Sequence, residues 1–554
     1  MADEELLFLP LGGAGEIGMN LNLYGYGSPG NPTWMMVDLG ITFGDGTHPG
    51  VDVIMPDPAY IEKHKDKLAG IVLTHAHEDH LGAVPYLWER FGCPIYATPF
   101  TVSILQRKLA EVGLLDIVPI VEVPLNGTFQ VGPFEIDLIT LTHSIPEPNG
   151  MAIRTPLGTV LHTGDWKLDP DPVIGEPYDM PTLRRLGDDG VLAIVCDSTN
   201  VFTPGTSGSE GDIFESMMKV VEPCEGRVVV TCFASNVARL DTISRVAKAV
   251  GRDVVLAGRS FWRMIDAAKE NGYLQDAPNY LDEEMCGDIP KDKVLIICTG
   301  SQGESRAALS RIAADEHPRI YLSSGDTVIF SSRQIPGNEV SIGRLQNRLV
   351  RRGIKLITDK DHFIHVSGHP ARDELVEMYQ AVKPKIAIPV HGEVRHLTEH
   401  AKLARECQVD ETLINENGGM IRLAPGPACV IEQVPYGRLA LEGGRVVPMD
   451  GELVRGRVRA LLNGSVTITI IVDTNGNVIE DPILTTNGLL EPGELDFEDD
   501  VMDAADDAIE RLSKKDRRKD DAVSEAVRLA VRRYFRSNFN KNAVTTVHLV
   551  RVKG

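Results

Sequence analysis

Three histidines and two acidic residues lie within six consecutive positions of the stretch THAHEDHLGA at 74–83. This stretch follows the apolar run GIVLT, which predicts a buried β-strand. Imidazole and carboxylate groups are preferred ligands of zinc and similar divalent ions, and so dense a group is unfavourable in a loop unless cations bind there. At an extended strand end, alternation places His75 and His77 on one side, while the turn presents Asp79 and His80 to a second position. The motif therefore predicts two adjacent metal sites.

Three later polar residues stand where apolar runs end: His143 after IDLITLT, Asp165 in VLHTGD and His391 after IAIPV. This ordered series resembles the metallo-β-lactamase superfamily, in which ligands from successive strand ends meet at one edge of an αββα sandwich. The resemblance implies a site with two ions and a bridging carboxylate. Its ligands are then His75, His77 and His143 for one ion, Asp79, His80 and His391 for the other, and Asp165 as the bridge.

A long insertion separates Asp165 from His391, and it indicates which group of the superfamily the sequence resembles. From about 206 to 370 strands alternate with helices, which is typical of a doubly wound unit, and such a unit would cover the metal site. Together with Asp197 in CDSTN and His369 in HVSGHP, this arrangement is similar to the β-CASP group of nucleic-acid nucleases. The segments PLGGAGEIGMN, TCFASNVARL, TGSQGE and FSSRQIPGNE resemble the ribonuclease J family specifically.

The expected fold class is α/β, with a metallo-β-lactamase αββα sandwich, an inserted doubly wound β-CASP domain and a small α+β C-terminal domain. The C-terminal part predicts a hairpin with an Asn-Gly turn, two charged helices and a final strand. We expect these boundaries: 1–205 and 374–425 for the sandwich, 206–373 for the insert, 426–450 for a linker, and 451–554 for the C-terminal domain.

Several segments outside the metal motif carry candidate substrate-binding groups. The residues at 234–236 lie between the strand RVVVTCF and a helix, so their hydroxyl, amide and backbone N–H groups suit a phosphate. Those at 301–302 end the strand KVLIICT, and we expect them near the 5′ end of an RNA. From the residues alone, a helix cap or a tight turn explains either segment as well. The candidates are Ala234, Ser235, Asn236, Ser301, Gln302, His365, Val366, Ser367, Gly368 and His369.

The predicted catalytic residues are Asp79, Asp197 and His369. A histidine with a near-neutral pKa suits protonation of the leaving oxygen, and Asp197 would orient His369 or a metal ligand. We expect in-line attack on phosphorus by a metal-bound hydroxide, with the ions about 3.5 to 4 Å apart. The resemblance implies endonucleolytic and 5′-to-3′ exonucleolytic cleavage in RNA processing and decay, with 5′-phosphate and 3′-hydroxyl products.

The resemblance also implies cofactors and partners. We expect two divalent metal ions per subunit, zinc before manganese or magnesium, and single-stranded RNA, preferably with a 5′-monophosphate. The C-terminal domain would support a homodimer or homotetramer, although a solvated appendage explains it as well, and other RNA-decay proteins would be further partners. A structural cation is expected near Asp52, although the pattern departs around Glu442, where a further ligand would fall.

Composition limits where RNA can bind. The net charge of −23 argues against a generally sticky nucleic-acid binder, so contacts with phosphates must be local. The candidate basic spots are 351–352, 514–519 and 532–536, each of which is also explained as solvated surface charge. No apolar run approaches the roughly 18 to 20 residues that span a bilayer, and the start MADEELLFLP is not typical of a secretory signal. We expect a cytoplasmic protein with reduced cysteines and no membrane role.

The motif G-x-G-x-x-G at 13–18, with Asp38 twenty residues further on, matches a dinucleotide fingerprint. That fingerprint needs a helix directly after the glycines, and the following MNLNLYGYGSPGNPTW contains residues that break helices. We interpret it as a glycine loop between strands beside a site.

Three other functions stay open at this point. A small-molecule metallohydrolase such as a lactonase or thioesterase would use the same H-x-H-x-D-H motif, but not the insert or His369. A DNA nuclease of the same group differs only in contacts to the 2′-hydroxyl, which the sequence does not reveal. A non-catalytic scaffold subunit would not need the complete ligand set.

Overall fold

The first sheet of the sandwich contains strands that are buried along most of their length. The strand Glu5–Gly12 buries seven of its eight residues, as expected for a strand covered on both faces. The computed structural model describes residues 4–44, 46–491 and 495–552. In spatial order, the eight strands of this sheet are Cys429–Gln433, Gly419–Ala424, Glu5–Gly12, Leu21–Ser28, Asn31–Val37, Leu68–Val72, Ile95–Ala97 and Ile120–Glu122.

A second, seven-stranded sheet packs face to face with the first. Phe8 and Tyr24 of the first sheet belong to the same buried cluster as Phe134, Ile136 and Val195 of the second. Burial of such side chains stabilises the fold by roughly 1.5–3 kcal/mol each. The strands are, in order, Thr128–Val131, Phe134–Thr140, Asn149–Thr155, Gly158–His162, Ala193–Asp197, Ile386–Val390 and Glu411–Thr412.

Helices cover the outer faces of both sheets. Leu183, Leu375 and Leu403 come from three helices and join one buried cluster with the second sheet. The helix Pro99–Glu111 packs beside the first sheet, against its edge strand. The sandwich is therefore αββα, as predicted. Its helices are Ala59–Glu62, Glu78–Leu81, Val84–Leu87, Pro99–Glu111, Met180–Asp189, Arg372–Val382 and Val394–Glu406.

The insert is a six-stranded sheet in which every strand pair is parallel. Such a sheet needs helical crossovers, which bring helices onto its faces, so the predicted doubly wound unit is confirmed. The strands, in spatial order, are Leu281–Asp282, Asp253–Ala257, Val294–Cys298, Val228–Thr231, Thr327–Phe330 and Lys355–Ile357. The helices are Ile213–Val221, Val237–Ala249, Arg259–Glu270, Ala308–Ala313 and Glu339–Arg351.

The chain divides into two compact units, Met1–Phe43 with Val53–Arg438, and Gly44–Asp52 with Leu439–Gly554. Two short strand pairs complete the first unit: Ala14–Gly15 with Gly392–Glu393, and Thr42–Phe43 with Val53–Pro56.

The second unit is built on a three-stranded sheet covered by two helices, which is the predicted α+β domain. Alternate residues of the central strand, Val466, Ile468 and Ile470, are buried against these helices. The predicted hairpin turn contains Gly476 at φ 86°, a left-handed conformation that favours glycine. The sheet order is Val478–Asn487, Ser465–Val472, Val544–Arg551, and the two covering helices are Leu495–Glu510 and Asp520–Phe539. A third helix, Glu452–Asn463, precedes the sheet in the chain, where the sequence predicted only two helices.

The segment 426–450, predicted as a linker, contains three strands: Cys429–Gln433, Arg438–Glu442 and Arg445–Pro448. The first of them extends the eight-stranded sheet, and the other two form an antiparallel hairpin. All eight cysteines are free thiols. Within the described part of the chain, no helix has the length and apolar character needed to cross a bilayer.

Candidate active site

The first metal motif begins where the strand Leu68–Val72 ends. His77 is extended at φ −73° and ψ 153°, and it precedes the one-turn helix Glu78–Leu81. The predicted turn is therefore a short helix, and this helix carries Asp79 and His80. His75 and His80 are buried, which places their rings behind the rim of the sandwich.

One group of four side chains converges around His77. Its Nδ1 lies 3.0 Å from His75 Nε2 and 3.1 Å from His143 Nε2. Asp165 Oδ2 is 4.0 Å from His75 Nε2 and 3.9 Å from His143 Nε2. The four residues come from three strand ends, yet their ligand atoms lie within 4.8 Å of one another. This arrangement can hold one divalent ion.

A second group shares Asp165 with the first. Asp165 Oδ2 is 3.1 Å from His80 Nε2, and Asp79 Oδ2 is 3.2 Å from His391 Nε2. His391 follows the strand Ile386–Val390 at φ 52°, an unfavourable conformation for a non-glycine residue. Its backbone N–H donates to the Gly13 carbonyl at 2.6 Å, which holds this conformation in place. Because both groups contain Asp165, the geometry suits two adjacent ions and a bridging carboxylate.

Further residues fix the imidazole rings through the nitrogens that face away from the cluster. Asp38 Oδ2 lies 2.7 Å from His80 Nδ1, and Thr199 Oγ1 lies 2.8 Å from His391 Nδ1. The carbonyl of Gly368 accepts from His143 Nδ1. Such bonds select the ring tautomer and strengthen metal binding. The sequence alone did not predict the roles of Asp38 and Thr199, although Asp38 ends the apolar run WMMV as the proposed ligands end theirs.

Burial and neighbouring charge set the protonation of the cluster. Burial lowers the pKa of His77 to about 4, and it lowers the pKa values of His75 and His143 well below the ordinary range. These rings are therefore neutral, which is the form that binds metal. Burial also opposes charge on His80 and His391, but Asp165 and further carboxylates raise the pKa values of both well above the usual value.

The donor set fits divalent cations of the zinc type. Nitrogen and carboxylate oxygen donors suit zinc, and manganese or magnesium would make more use of the carboxylates. The negative field that favours protons on His80 and His391 would equally favour a cation. The residues that would hold the ions are His75, His77, Asp79, His80, His143, Asp165 and His391.

His369 lies beside this cluster and is bound by Asp197, whose Oδ2 is 2.7 Å from His369 Nδ1. Its ring stacks on His391 with the ring centroids 5.5 Å apart. Burial opposes a charge on His369, but Asp197 and Asp165 raise its pKa above the usual value. Nε2 of this readily protonated histidine makes no hydrogen bond to any described residue, so it can donate to a bound molecule.

Asn200 connects the His369 segment to the sandwich, a role that sequence analysis did not find. Its Nδ2 donates to Ser367 Oγ at 2.7 Å and to the His369 carbonyl at 3.1 Å. Asn200 is buried and lies three residues after Asp197, in the motif CDSTN. The one available signal was this short spacing from a predicted catalytic residue.

His365 sits in a different environment from His369. Its Nδ1 is 3.3 Å from Nη1 of the fully buried Arg239. Arg239 also donates to the Ile364 carbonyl at 3.2 Å and to Ser331 Oγ at 2.7 Å, and its Nε pairs with Glu210 Oε1 at 2.6 Å. Burial lowers the pKa of His365 well below the usual value, and nearby cations act in the same direction. His365 is therefore neutral and can accept or donate one hydrogen bond without carrying charge.

The Arg239–Glu210 pair predicts a large stability effect. Glu210→Ala would leave a fully buried guanidinium without its counter-charge, which costs about 3–5 kcal/mol of unfolding free energy. Urea denaturation followed by circular dichroism measures this loss. The control is Arg245→Ala, because Arg245 pairs with Asp241 on the same helix at 3.7 Å but is half-exposed. That variant should lose less than about 1 kcal/mol, and equal losses would contradict the prediction.

The remaining substrate-binding candidates lie at strand ends of the insert. Asn236 begins the helix Val237–Ala249, and its Oδ1 accepts from Arg239 N at 2.8 Å, so its side chain acts as a helix cap. Ala234 and Ser235 are partly exposed beside it. Ser301 is buried, and the Gln302 amide bonds to the loop 333–338. Val366 is buried, whereas Ser367 and Gly368 are partly exposed next to His369.

Two other features of the sequence also have a clear place. The glycine loop lies beside the site, where a Cβ on Gly18 would stand 3.5 Å from Asp79 Cβ. In the second unit, Glu442 makes two bonds to Arg457, at 2.6 and 2.8 Å. Among the described residues, Asp52 belongs to no group of three or more metal-ligating side chains. Arg457 thus neutralises Glu442, and the structural cation expected near Asp52 stays a prediction.

The αββα sandwich, its doubly wound insert and the histidine-carboxylate cluster define a metal-dependent hydrolase of the metallo-β-lactamase class with a β-CASP insert. The chain is 45% identical to "Ribonuclease J" of Sinorhizobium meliloti, covering 92% of this chain and 91% of that one. It is 36% identical to "Ribonuclease J" of Thermus thermophilus, covering 88% and 85%. The chain belongs to the ribonuclease J family.

A solved structure titled "Crystal Structure of a Protein of Unknown Function from Enterococcus faecalis V583" is similar over 76% of this chain and 100% of its own, with a TM-score of 0.50 and 16% identity. This likeness concerns the fold alone.

Family profiles match successive parts of the chain. The profiles are "Beta-lactamase superfamily domain" at 47–183, "Ribonuclease J, beta-CASP domain" at 225–349, "Zn-dependent metallo-hydrolase RNA specificity domain" at 353–413 and "Ribonuclease J C-terminal domain" at 453–552.

Proposed function

We propose that this chain is a ribonuclease that hydrolyses phosphodiester bonds of single-stranded RNA at the cluster around Asp165. The observation that carries the proposal is the convergence of two ligand groups on one carboxylate, with His369 directly beside them. When bound, divalent ions would supply Lewis acidity and neutralise the charge of the phosphate. The expected ligands are the seven residues named above, with two ions per subunit and zinc before manganese or magnesium.

The residues of the chain supply positioning and proton transfer. His369 holds a proton at Nε2 for the leaving oxygen, and Asp197 orients the ring through Nδ1. Asp79 belongs to the second ligand group and faces His391. We expect the neutral His365 and the hydroxyl of Ser367 to bind the scissile phosphate without competing for that proton.

The proposal also covers the mode of cleavage, the preferred RNA end and the assembly of the protein. We expect both endonucleolytic and 5′-to-3′ exonucleolytic cleavage, with a preference for 5′-monophosphate ends near Ser301 and the 234–236 segment. Exposed apolar side chains of the second unit, including Leu461, Leu462 and Ile483, support assembly into a homodimer or homotetramer. Cytoplasmic location and association with RNA-decay proteins stay predictions from the sequence.

The test offers the purified protein 5′-labelled single-stranded RNA, matched DNA and a lactone, each with zinc, manganese or magnesium. We expect RNA to be cut at least about a hundredfold faster than DNA, because contacts to the 2′-hydroxyl distinguish the two. Elemental analysis should find two divalent ions per chain. Equal cutting of DNA would defeat the RNA assignment, and turnover of the lactone alone would favour the small-molecule hydrolase. Absence of mononucleotide products would remove the exonuclease activity.

A further inference from the structure

The loop after the strand Thr327–Phe330 carries an arginine that the chemistry above does not use. The guanidinium of Arg333 is exposed, and its Nη1 donates to Asn200 Oδ1 at 3.3 Å. The same Asn200 binds Ser367 and the carbonyl of His369 through its Nδ2. One side chain therefore separates Arg333 from the catalytic histidine segment, so the guanidinium lies at the edge of the active site.

The backbone of Arg333 is held while its side chain faces solvent. The amide of the buried Gln302 donates from Nε2 to the Arg333 carbonyl at 2.8 Å and accepts from Ile335 N at 2.9 Å. A fixed backbone lowers the conformational entropy that a long side chain loses when it binds a ligand. The loop therefore presents Arg333 as a partly preorganised group.

The charge balance distinguishes Arg333 from the other cations near His365. Lys167 pairs with Asp169 at 2.6 Å, and Arg239 pairs with Glu210 at the same distance. For Arg333, in contrast, the described residues contain no carboxylate at ion-pair distance. Arg333 connects to the segment 365–369 through Asn200, which donates to Ser367 Oγ at 2.7 Å. Arg333 is thus an uncompensated cation at the active-site edge of a protein with a net charge of −23.

We infer that Arg333 binds a backbone phosphate of the RNA strand at a nucleotide next to the scissile bond. The planar guanidinium can make two parallel hydrogen bonds to phosphate oxygens, and one bond to Asn200 leaves donors for them. An acidic protein repels a polyanion at long range, so a local uncompensated cation has a large share in holding the strand. This inference rests on the proposed RNA substrate.

The test compares Arg333→Ala, Arg333→Lys and wild-type protein in single-turnover cleavage of one RNA sequence, with 5′-monophosphate or 5′-hydroxyl ends, at several salt concentrations. We expect the half-saturating protein concentration to rise about tenfold in Arg333→Ala for both RNAs, with the maximal rate changed less than about twofold. The slope of the logarithm of this half-saturating concentration against the logarithm of the salt concentration should fall by about 0.7, which is the value for one phosphate contact on a single strand. Arg333→Lys should keep the salt dependence and lose part of the affinity.

The matched control is Arg348→Ala, because Arg348 is another exposed arginine of the insert, on the helix Glu339–Arg351, and lies in none of the candidate basic spots. If the control substitution weakened RNA binding as much as Arg333→Ala does, the effect would be general charge attraction, and the inference would be overturned. A lower maximal rate with unchanged half-saturation would mean that Arg333 acts through Asn200 on His369, and that also overturns it. A loss of affinity confined to 5′-monophosphorylated RNA would mean that Arg333 binds the terminal phosphate, and this would overturn the inference too. Wild-type protein that cuts no RNA would refute the proposed function itself, which is a separate outcome.

Discussion

His77→Ala should lower RNA cleavage by at least about a thousandfold, because the ligand group around Asp165 loses the side chain on which two other imidazoles converge. The remaining ligands would bind an ion more weakly and with a less defined coordination geometry. We expect elemental analysis to show fewer than two divalent ions per chain. Single-turnover cleavage of labelled RNA gives the rate.

The fold should survive this substitution, because His77 sits at a loop end and not in either buried sheet core. Circular dichroism checks this point. His64→Ala is the matched control, since His64 is exposed and contacts only the ring of Tyr60 among described aromatic groups. It should retain the wild-type rate and metal content. A purified, folded His77→Ala protein that cuts RNA at the wild-type rate would disprove the metal assignment.

His369→Ala should lower the rate of RNA cleavage by about 10²–10⁴-fold while the metal content stays at the wild-type value. The reason is the loss of a proton donor at Nε2, because Asp197 already occupies Nδ1 at 2.7 Å. Asp197→Asn should also lower the rate, since the amide still bonds to the ring but no longer stabilises its charged form. Single-turnover assays at saturating protein measure both effects.

A substrate with a better leaving group separates proton donation from other roles of His369. In a 4-nitrophenyl ester of a nucleoside 5′-phosphate, the leaving phenolate needs no proton. We expect His369→Ala to cut this ester within about tenfold of the wild-type rate. His369 also belongs to a third group of potential metal ligands, with Asp165, Asp197 and His391. If both substrates lost activity equally, together with a bound ion, His369 would be a ligand and not an acid.

The fold class was predictable because its signals are local. Strands such as Glu5–Gly12 and Val228–Thr231 are continuous apolar runs, and the strand-helix alternation of the insert repeats over a few tens of residues. One difference lies at 426–450, where glycines and prolines suggested a linker and three short strands form. Strand pairing with distant segments decided that region, and such pairing is not visible in local composition.

The candidate site was predictable in part for the same reason. The ligands stand at ends of apolar runs, so their chemical type and position could be read along the chain. Asp38 shows the limit: it also ends such a run, but the G-x-G-x-x-G spacing drew attention to a different motif. Only its 2.7 Å contact with His80 reveals what it does.

The sequence by itself determined which side chains can bind metal and which segments form strands, since both depend on residue type and short spacing. The tertiary structure alone decided how charges and hydrogen bonds are paired. Glu210 meets Arg239, Thr199 meets His391, and Arg333 meets Asn200 across long separations in the chain. These contacts depend on how distant strand ends are packed together, and burial then determines whether each charge is compensated or left available for a ligand.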